Sequence, residues 1–224
     1  VADGDKEYFV LEVSSFQLDN CTTFKPFISI LCNITEDHLD RYDYKFENYI
    51  RSKFSITKNQ DANDYFIYCQ DDAVSTEYFN MANSEVQKIP FSYHQKVSNG
   101  AYIENQQLII ELNKNNFTMP TSELSIHGIH NSYNSMAAAI SAKLIGVRNE
   151  KIRESLEDFK NLEHRLEFVA TIKGVDFIND SKATNVNSTW YALESMTKPV
   201  VLIAGGVDKG NDYTLIKDLV NKRV

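Results

Sequence analysis

The sequence predicts an α/β fold: a mostly parallel sheet with a small antiparallel insertion, followed by a second, shorter α/β unit. Three observations lead there. Short, almost continuous apolar runs at residues 8–13, 27–32 and 64–69 have the texture of strands buried on both faces. Helical periodicity lies between them, and strands alternating with helices build parallel sheets. After Asn161 the same alternation restarts.

Taken in order, the runs at 8–13 and 27–32 are the first two strands. Phe46, Tyr49, Ile50, Lys53 and Phe54 then fall at i, i+3, i+4, i+7 and i+8, the inward stripe of an amphipathic helix. The run at 64–69 is the third strand. Between residues 86 and 119 the texture changes to short β segments with turn residues at 98–100 and 113–116, which predicts the antiparallel insertion. Helices follow over 131–144, closed by Gly146, and over 149–159. The second unit offers strands at 166–172 and 175–178, a helix at 186–195, a strand at 200–204 and a helix at 213–220. It holds roughly 60 residues, too few for a complete doubly wound domain. The chain opens a few residues before a strand pattern and closes straight after a helical one, so it is expected to be a piece cut at both ends.

Composition narrows the function classes. Of 224 residues, 42% are hydrophobic and 12% aromatic, enough for a real core. The excess of 31 acidic over 23 basic residues, a net charge of −8, argues against nucleic acid and against an anionic membrane surface as partners. Cys21, Cys32 and Cys69 are widely spaced and odd in number, which suits neither a disulfide framework nor a zinc knuckle and fits a reducing cytoplasm. No apolar run reaches the ~18–20 residues that span a bilayer.

Six clusters could carry chemistry. Glu12 ends the first strand, where a carboxylate can hold Mg2+ on a nucleotide's phosphates; taken alone it reads better as a strand-end glutamate in water. Residues 33–41, Asn-Ile-Thr-Glu-Asp-His-Leu-Asp-Arg, follow the second strand with a density of acids around His38 that suits a metal-phosphate site or, equally, a charged capping loop. Lys53 occupies the apolar stripe. Burial there would lower its pKa and leave an amine able to take up CO2 as a carbamate, unless the side chain snorkels to solvent. Asn131 and Asn134 lie one turn apart at a helix start, placed to read a purine edge; for Asn131 alone a cap is the better reading. Residues 177–185, Phe-Ile-Asn-Asp-Ser-Lys-Ala-Thr-Asn, put Lys182 and Thr184 at a strand-to-helix turn fit for an anion, or for nothing beyond an Asn185 cap. The glycine-rich exit at 202–211 carries Lys209 but satisfies no nucleotide loop: a phosphate-binding loop needs Lys at Asn211, a dinucleotide loop Gly at Val207.

In order and spacing these clusters resemble the Mur ligases, from Glu12 to Lys209. The resemblance implies a central ATP-binding domain over residues 1–161 and the first part of a Rossmann-like, amino-acid-binding domain over 162–224. It implies ATP and Mg2+ as cofactors, with Glu12, His38 and a carbamylated Lys53 at the metal site. Asn131, Asn134, Arg165 and Asp180 would hold the adenosine part of ATP. Catalytic roles fall to Lys53, His38 and Lys182. The acceptor motif Asp180-Ser-Lys-Ala-Thr-Asn185 resembles that of the D-glutamate-adding members. The implied substrates are therefore UDP-N-acetylmuramoyl-L-alanine and D-glutamate, with Lys182, Thr184 and Lys209 near the glutamate and the transferred phosphate, and Ser14 and Gln17 near the muramoyl group.

The family's Gly-Lys-Thr phosphate loop and UDP-binding domain should precede Glu12 and are absent, so this piece is expected to be inactive alone. Two rivals stand beside the ligase reading. A folylpolyglutamate synthase shares the chemistry but differs at the acceptor motif, and a non-catalytic nucleotide-binding module would have no need of Glu12, His38, Lys53 and Lys182 together.

Overall fold

The computed structural model describes residues 5–112, 115–126, 128–160, 163–207 and 212–224. It divides into two compact units, residues 1–124 with 132–156, and residues 125–131 with 157–224.

The first unit is built on a six-stranded sheet: β1 (Ile28–Leu31), β2 (Tyr65–Cys69), β3 (Gln87–Ser92), β4 (Gly100–Glu104), β5 (Gln107–Leu112) and β6 (Asn115–Pro120), ordered as they occur in the chain. The ladders β1–β2, β2–β3 and β3–β4 are parallel, and β4–β5 and β5–β6 antiparallel. Alternation along β2 assigns the two faces. Phe66 and Tyr68 join one core with Leu31, Tyr49, Ile50 and Phe54, the last three from α2 (Phe46–Phe54). Ile67 and Cys69 join the other with Met136 and Ile140 of α4 (Ile129–Leu144) and Ile152 of α5 (Asn149–Asp158). Helices on both faces explain why β2 reads as a continuous apolar run. Each fully buried side chain of this kind contributes roughly 1.5–3 kcal/mol.

Local signals set the ends of these helices. Asp72 caps α3 (Ala73–Glu77), accepting the Ser75 amide at 2.8 Å. At the end of α4, Gly146 has φ +79, its amide donates to the Lys143 carbonyl and that of Val147 to Ala142, which is a Schellman stop.

One expectation for this unit needs correction. Residues 8–13 form no strand: the segment has no ladder partner among the described residues, and Val10 is 99% exposed. Apolar texture records a tendency to pair and cannot supply the partner. The segment 86–119 carries the expected antiparallel strands, β4 to β6. Its first strand, β3, lies parallel to β2, and β4 to β6 extend the same sheet, since Ile89 and Phe91 share the core of Ile67. Turn residues 113 and 114 lie outside the described residues. Gly100 is required where β4 passes β3, because a Cβ there would lie 2.1 Å from the Pro90 carbonyl oxygen.

The second unit contains the hairpin β7 (Glu167–Ile172) and β8 (Val175–Asn179) and the helices α6 (Val186–Ser195) and α7 (Lys217–Arg223), the last entered through a 3-10 turn at Tyr213–Ile216. Lys173 and Gly174 both have positive φ, +51 and +81, as a two-residue type I′ hairpin turn demands. The predicted strand at 200–204 is not formed. Val201 is 90% exposed and Ile203 93%, and no described strand pairs with them. Among the described residues no helix is long and apolar enough to cross a membrane.

Candidate active site

The site is built from three stretches of the first unit. The first runs from Glu12 into α1 (Ser15–Asp19). Ser14 caps this helix reciprocally: its hydroxyl accepts the Gln17 amide at 3.3 Å, and the Gln17 Oε1 accepts the Ser14 amide at 2.8 Å. That is a capping box, so both side chains already have a structural task. The second stretch is the loop leaving β1, which carries Asp37 and His38. The third is the inward face of α2, with Tyr49 and Lys53.

These stretches line an open cavity of about 370 Å3, formed by Glu12 to Gln17, Asp37, His38, Tyr49 and Lys53. Five residues singled out in the sequence, Glu12, Ser14, Gln17, His38 and Lys53, therefore meet at one place. The fold brings them together because β1 feeds the Asp37 loop to the side where α1 and α2 pack.

His38 is held in an unusual conformation. It has φ +52 and ψ +31, left-handed backbone that few residues other than glycine adopt readily, and it starts the single 3-10 turn at Leu39–Arg41. Asp37 fixes it: the His38 amide donates to Asp37 Oδ1 at 2.9 Å, and Nε2 lies 3.6 Å from Oδ2. Phe16 packs against the imidazole edge-on, 4.9 Å between centroids. The ring is thereby aimed, which is what a ligand or substrate contact requires.

Lys53 faces inward as its place in the stripe predicts, over the Tyr49 ring at 5.3 Å. Burial lowers its pKa, opposed by the nearby charges of Asp37 and Glu12 and by Cys32. Burial also raises the Cys32 thiol, which the Lys53 charge partly offsets. The Tyr49 phenol is pushed up to about 12 by burial and then by Asp37, so it stays protonated.

Asp37, Phe16 and Tyr49 are the site residues that sequence reasoning missed. Asp37 stood among Glu36 and Asp40 with nothing in spacing to separate it from them, whereas Tyr49 and Phe16 read as ordinary core positions. Among the described residues no group of three His, Cys, Asp or Glu side chains is arranged to hold a metal ion. The two carboxylates that line the cavity, Glu12 and Asp37, are a donor set that a magnesium ion accepts, because that ion keeps several waters and takes only one or two carboxylates beside phosphate oxygens.

Asn134 is exposed on α4 in the first unit. Asn131 is not a cap, because α4 starts at Ile129 and Asn131 lies within its first turn. In the second unit Asp180 accepts the Leu166 amide at 3.0 Å, and burial raises its pKa against the pull of Arg165 and His130. Lys182 and Thr184 are exposed on the turn before α6, where Asn185 is the cap, accepting the Ser188 amide at 2.8 Å. The Lys182 amide donates to the His164 carbonyl at 3.0 Å. Lys209 lies outside the described residues.

The chain is 55% identical over its whole length to the UDP-N-acetylmuramoylalanine--D-glutamate ligase of Christiangramia forsetii and 50% identical to the protein of the same name from Bacteroides fragilis. It spans about half the length of these relatives, 50% in each case. Among solved structures, MurF from Acinetobacter baumannii superposes with a TM-score of 0.61 at 22% identity, over 76% of this chain and 37% of that one. MurF ligase from Thermotoga maritima in complex with ADP gives 0.58 at 17% identity, over 81% of this chain and 42% of that one; at such identities the likeness is one of fold. Residues 1–142 match the Mur ligase middle domain, and with that match and those relatives the chain belongs to the Mur ligase family.

Proposed function

We propose that this chain is the nucleotide-handling part of an ATP-dependent ligase that adds D-glutamate to UDP-N-acetylmuramoyl-L-alanine in the cytoplasm, a step of peptidoglycan precursor synthesis. The observation that carries the reading is the meeting of Glu12, His38 and Lys53 in one cavity beside the Ser14–Gln17 turn. The names of the relatives support the choice of substrates. Residues 1–161 are the central ATP-binding domain in this reading, and 162–224 begin the amino-acid-binding domain.

The reaction takes two steps. ATP phosphorylates the L-alanyl carboxylate, giving an acyl phosphate and ADP; the amine of D-glutamate then attacks the acyl carbon, forming the amide and releasing phosphate. Mg2+, held by Glu12, His38 and a carbamate on Lys53, would neutralise the charge that develops on the transferring phosphoryl group. Asp37 keeps His38 in its orientation. Lys53 has the environment a carbamate needs, an inward position and an amine biased toward its neutral form by burial. Asn131, Asn134, Arg165 and Asp180 bind the adenosine, and Lys182, Thr184 and Lys209 bind the carboxylates of glutamate and the transferred phosphate. No side-chain nucleophile takes part.

The test is turnover by the ligase that carries this sequence, given ATP, Mg2+, UDP-N-acetylmuramoyl-L-alanine and D-glutamate. ADP, phosphate and a UDP-linked product heavier by one glutamyl residue should appear in equal amounts. Turnover with a folate acceptor instead would favour the folylpolyglutamate reading, and ATP binding without turnover the non-catalytic one.

A further inference from the structure

The helix that forms one wall of the cavity is too short to hold itself in place. α1 has five residues, and isolated helices below about 12 residues are marginal in water. Its first turn is closed by the capping box, and its last residue is tied to α2 through a single carboxylate. Tyr42 Oη donates to Asp19 Oδ2 at 2.8 Å, and Ser52 Oγ donates to Asp19 Oδ1 at 2.6 Å. The Ser15 carbonyl, 3.0 Å from Ser52 Oγ, is an alternative acceptor for the same hydroxyl. Both hydroxyl residues are buried, Ser52 to 6% and Tyr42 to 7% exposure. Ser52 directly precedes Lys53 in α2, and the Tyr42 ring packs on Phe16 at 6.1 Å and Tyr49 at 5.3 Å, both cavity residues.

Asp19, Tyr42 and Ser52 do not line the cavity themselves. We infer that they form a positioning clamp in which the Asp19 carboxylate fixes α1 against α2, setting the distance between the Ser14–Gln17 turn and Lys53 and hence the fit of the UDP-linked substrate. The two bonds to a charged acceptor are of the stronger kind, and they join α1 to α2 and to the loop before it rather than neighbours on one element. The clamp's effect on substrate fit rests on the ligase reading, while its effect on α1 does not.

Asp19→Ala and Ser52→Ala in the ligase that carries this sequence test both parts. Amide hydrogen exchange across residues 15–19 should quicken about tenfold, the loss of roughly one charge-assisted hydrogen bond, while the strands of the sheet keep their protection. The KM for the UDP-linked substrate should rise about tenfold with the KM for ATP within about twofold of wild type. Ser52→Thr, which keeps the hydroxyl, should restore both. Unchanged exchange at 15–19 would overturn the clamp whatever the enzyme's substrate. Faster exchange with unchanged KM values in an active enzyme would overturn its role in substrate fit, and a loss of kcat alone, with every KM preserved, would reduce the three residues to general stability. A wild-type enzyme that does not turn over the UDP-linked substrate would sink the ligase reading, and the exchange result would still decide the clamp.

Discussion

Lys53→Met separates the chemical task of Lys53 from its packing. Methionine keeps an unbranched stem against Tyr49 and removes only the amine. Two terms set the change in stability. The contact with the Tyr49 ring at 5.3 Å is lost, roughly 0.5–1 kcal/mol for a partly shielded pair. Against it, the cost of burying an amine disappears, since burial is the largest influence on Lys53. The two oppose each other, so the net change should stay within about 1 kcal/mol, a shift of no more than about 4 °C in melting temperature for a chain of this size. The pH dependence has a definite sign. Because the folded pKa lies below the ordinary 10.5, the unfolded chain binds more protons between the two values, and wild-type stability rises with pH across that window. Any advantage of methionine is therefore largest below the window and shrinks as pH approaches 10.5. Activity should behave differently. Removing one preorganised electrostatic group typically costs about 10²–10³ in kcat, and phosphate release by the ligase should fall by that much, with partial recovery in added acetate or formate. Turnover above about one tenth of wild type without additive would refute a catalytic part for Lys53 and leave it a snorkelling core lysine.

Asp37→Asn should lower kcat by about 10–100-fold, the usual cost of losing the partner that orients a ligating histidine, with little change in melting temperature; unchanged kcat in a phosphate-release assay would remove Asp37 from the site. Gly100→Ala should destabilise the chain by at least about 2 kcal/mol, because its Cβ would lie 2.1 Å from backbone oxygen that cannot swing away; urea denaturation within about 0.5 kcal/mol of wild type would contradict that close approach. Tyr133→Phe removes a 2.8 Å bond to the Asp71 carboxylate and should cost roughly 1.5–3 kcal/mol in the same assay.

How far the sequence carried the fold depended on whether partners were local. α6 was legible to the residue at Val186–Ser195, since its cap and its periodicity lie within the helix. β7 and β8 were legible within a residue or so because the Lys173-Gly174 turn pairs neighbours in the chain. Residues 8–13 and 200–204 have equally apolar texture and form no strand, because pairing is a property of two segments and periodicity describes one. The direction of β3 was hidden for the same reason. Its alternation is that of any half-buried strand, and only the ladder to Tyr65–Cys69 reveals that it runs parallel.

The site divides along a similar line. Lys53 was legible because a charged residue inside a helical stripe contradicts its surroundings, and such contradictions survive in sequence without any tertiary knowledge. Glu12 and His38 are not of that kind: each fits a solvated loop, and only their family spacing singled them out. Asp37 had no signal at all. Glu36, Asp37 and Asp40 are chemically alike, and what distinguishes Asp37 is that His38 turns at φ +52, folding the chain so that the Asp37 carboxylate meets both the amide and the imidazole of its neighbour. The left-handed turn and the carboxylate form a single device. The carboxylate stabilises a backbone conformation that costs energy, and the conformation aims the imidazole at Lys53's cavity. Asp19 is hard to see for a related reason: its partners Tyr42 and Ser52 lie far along the chain and read as an aromatic and a small polar residue near a helix. In both cases the residue that sets the geometry looks dispensable in sequence, because its work is done on groups of other residues: an amide and an imidazole for Asp37, two hydroxyls for Asp19.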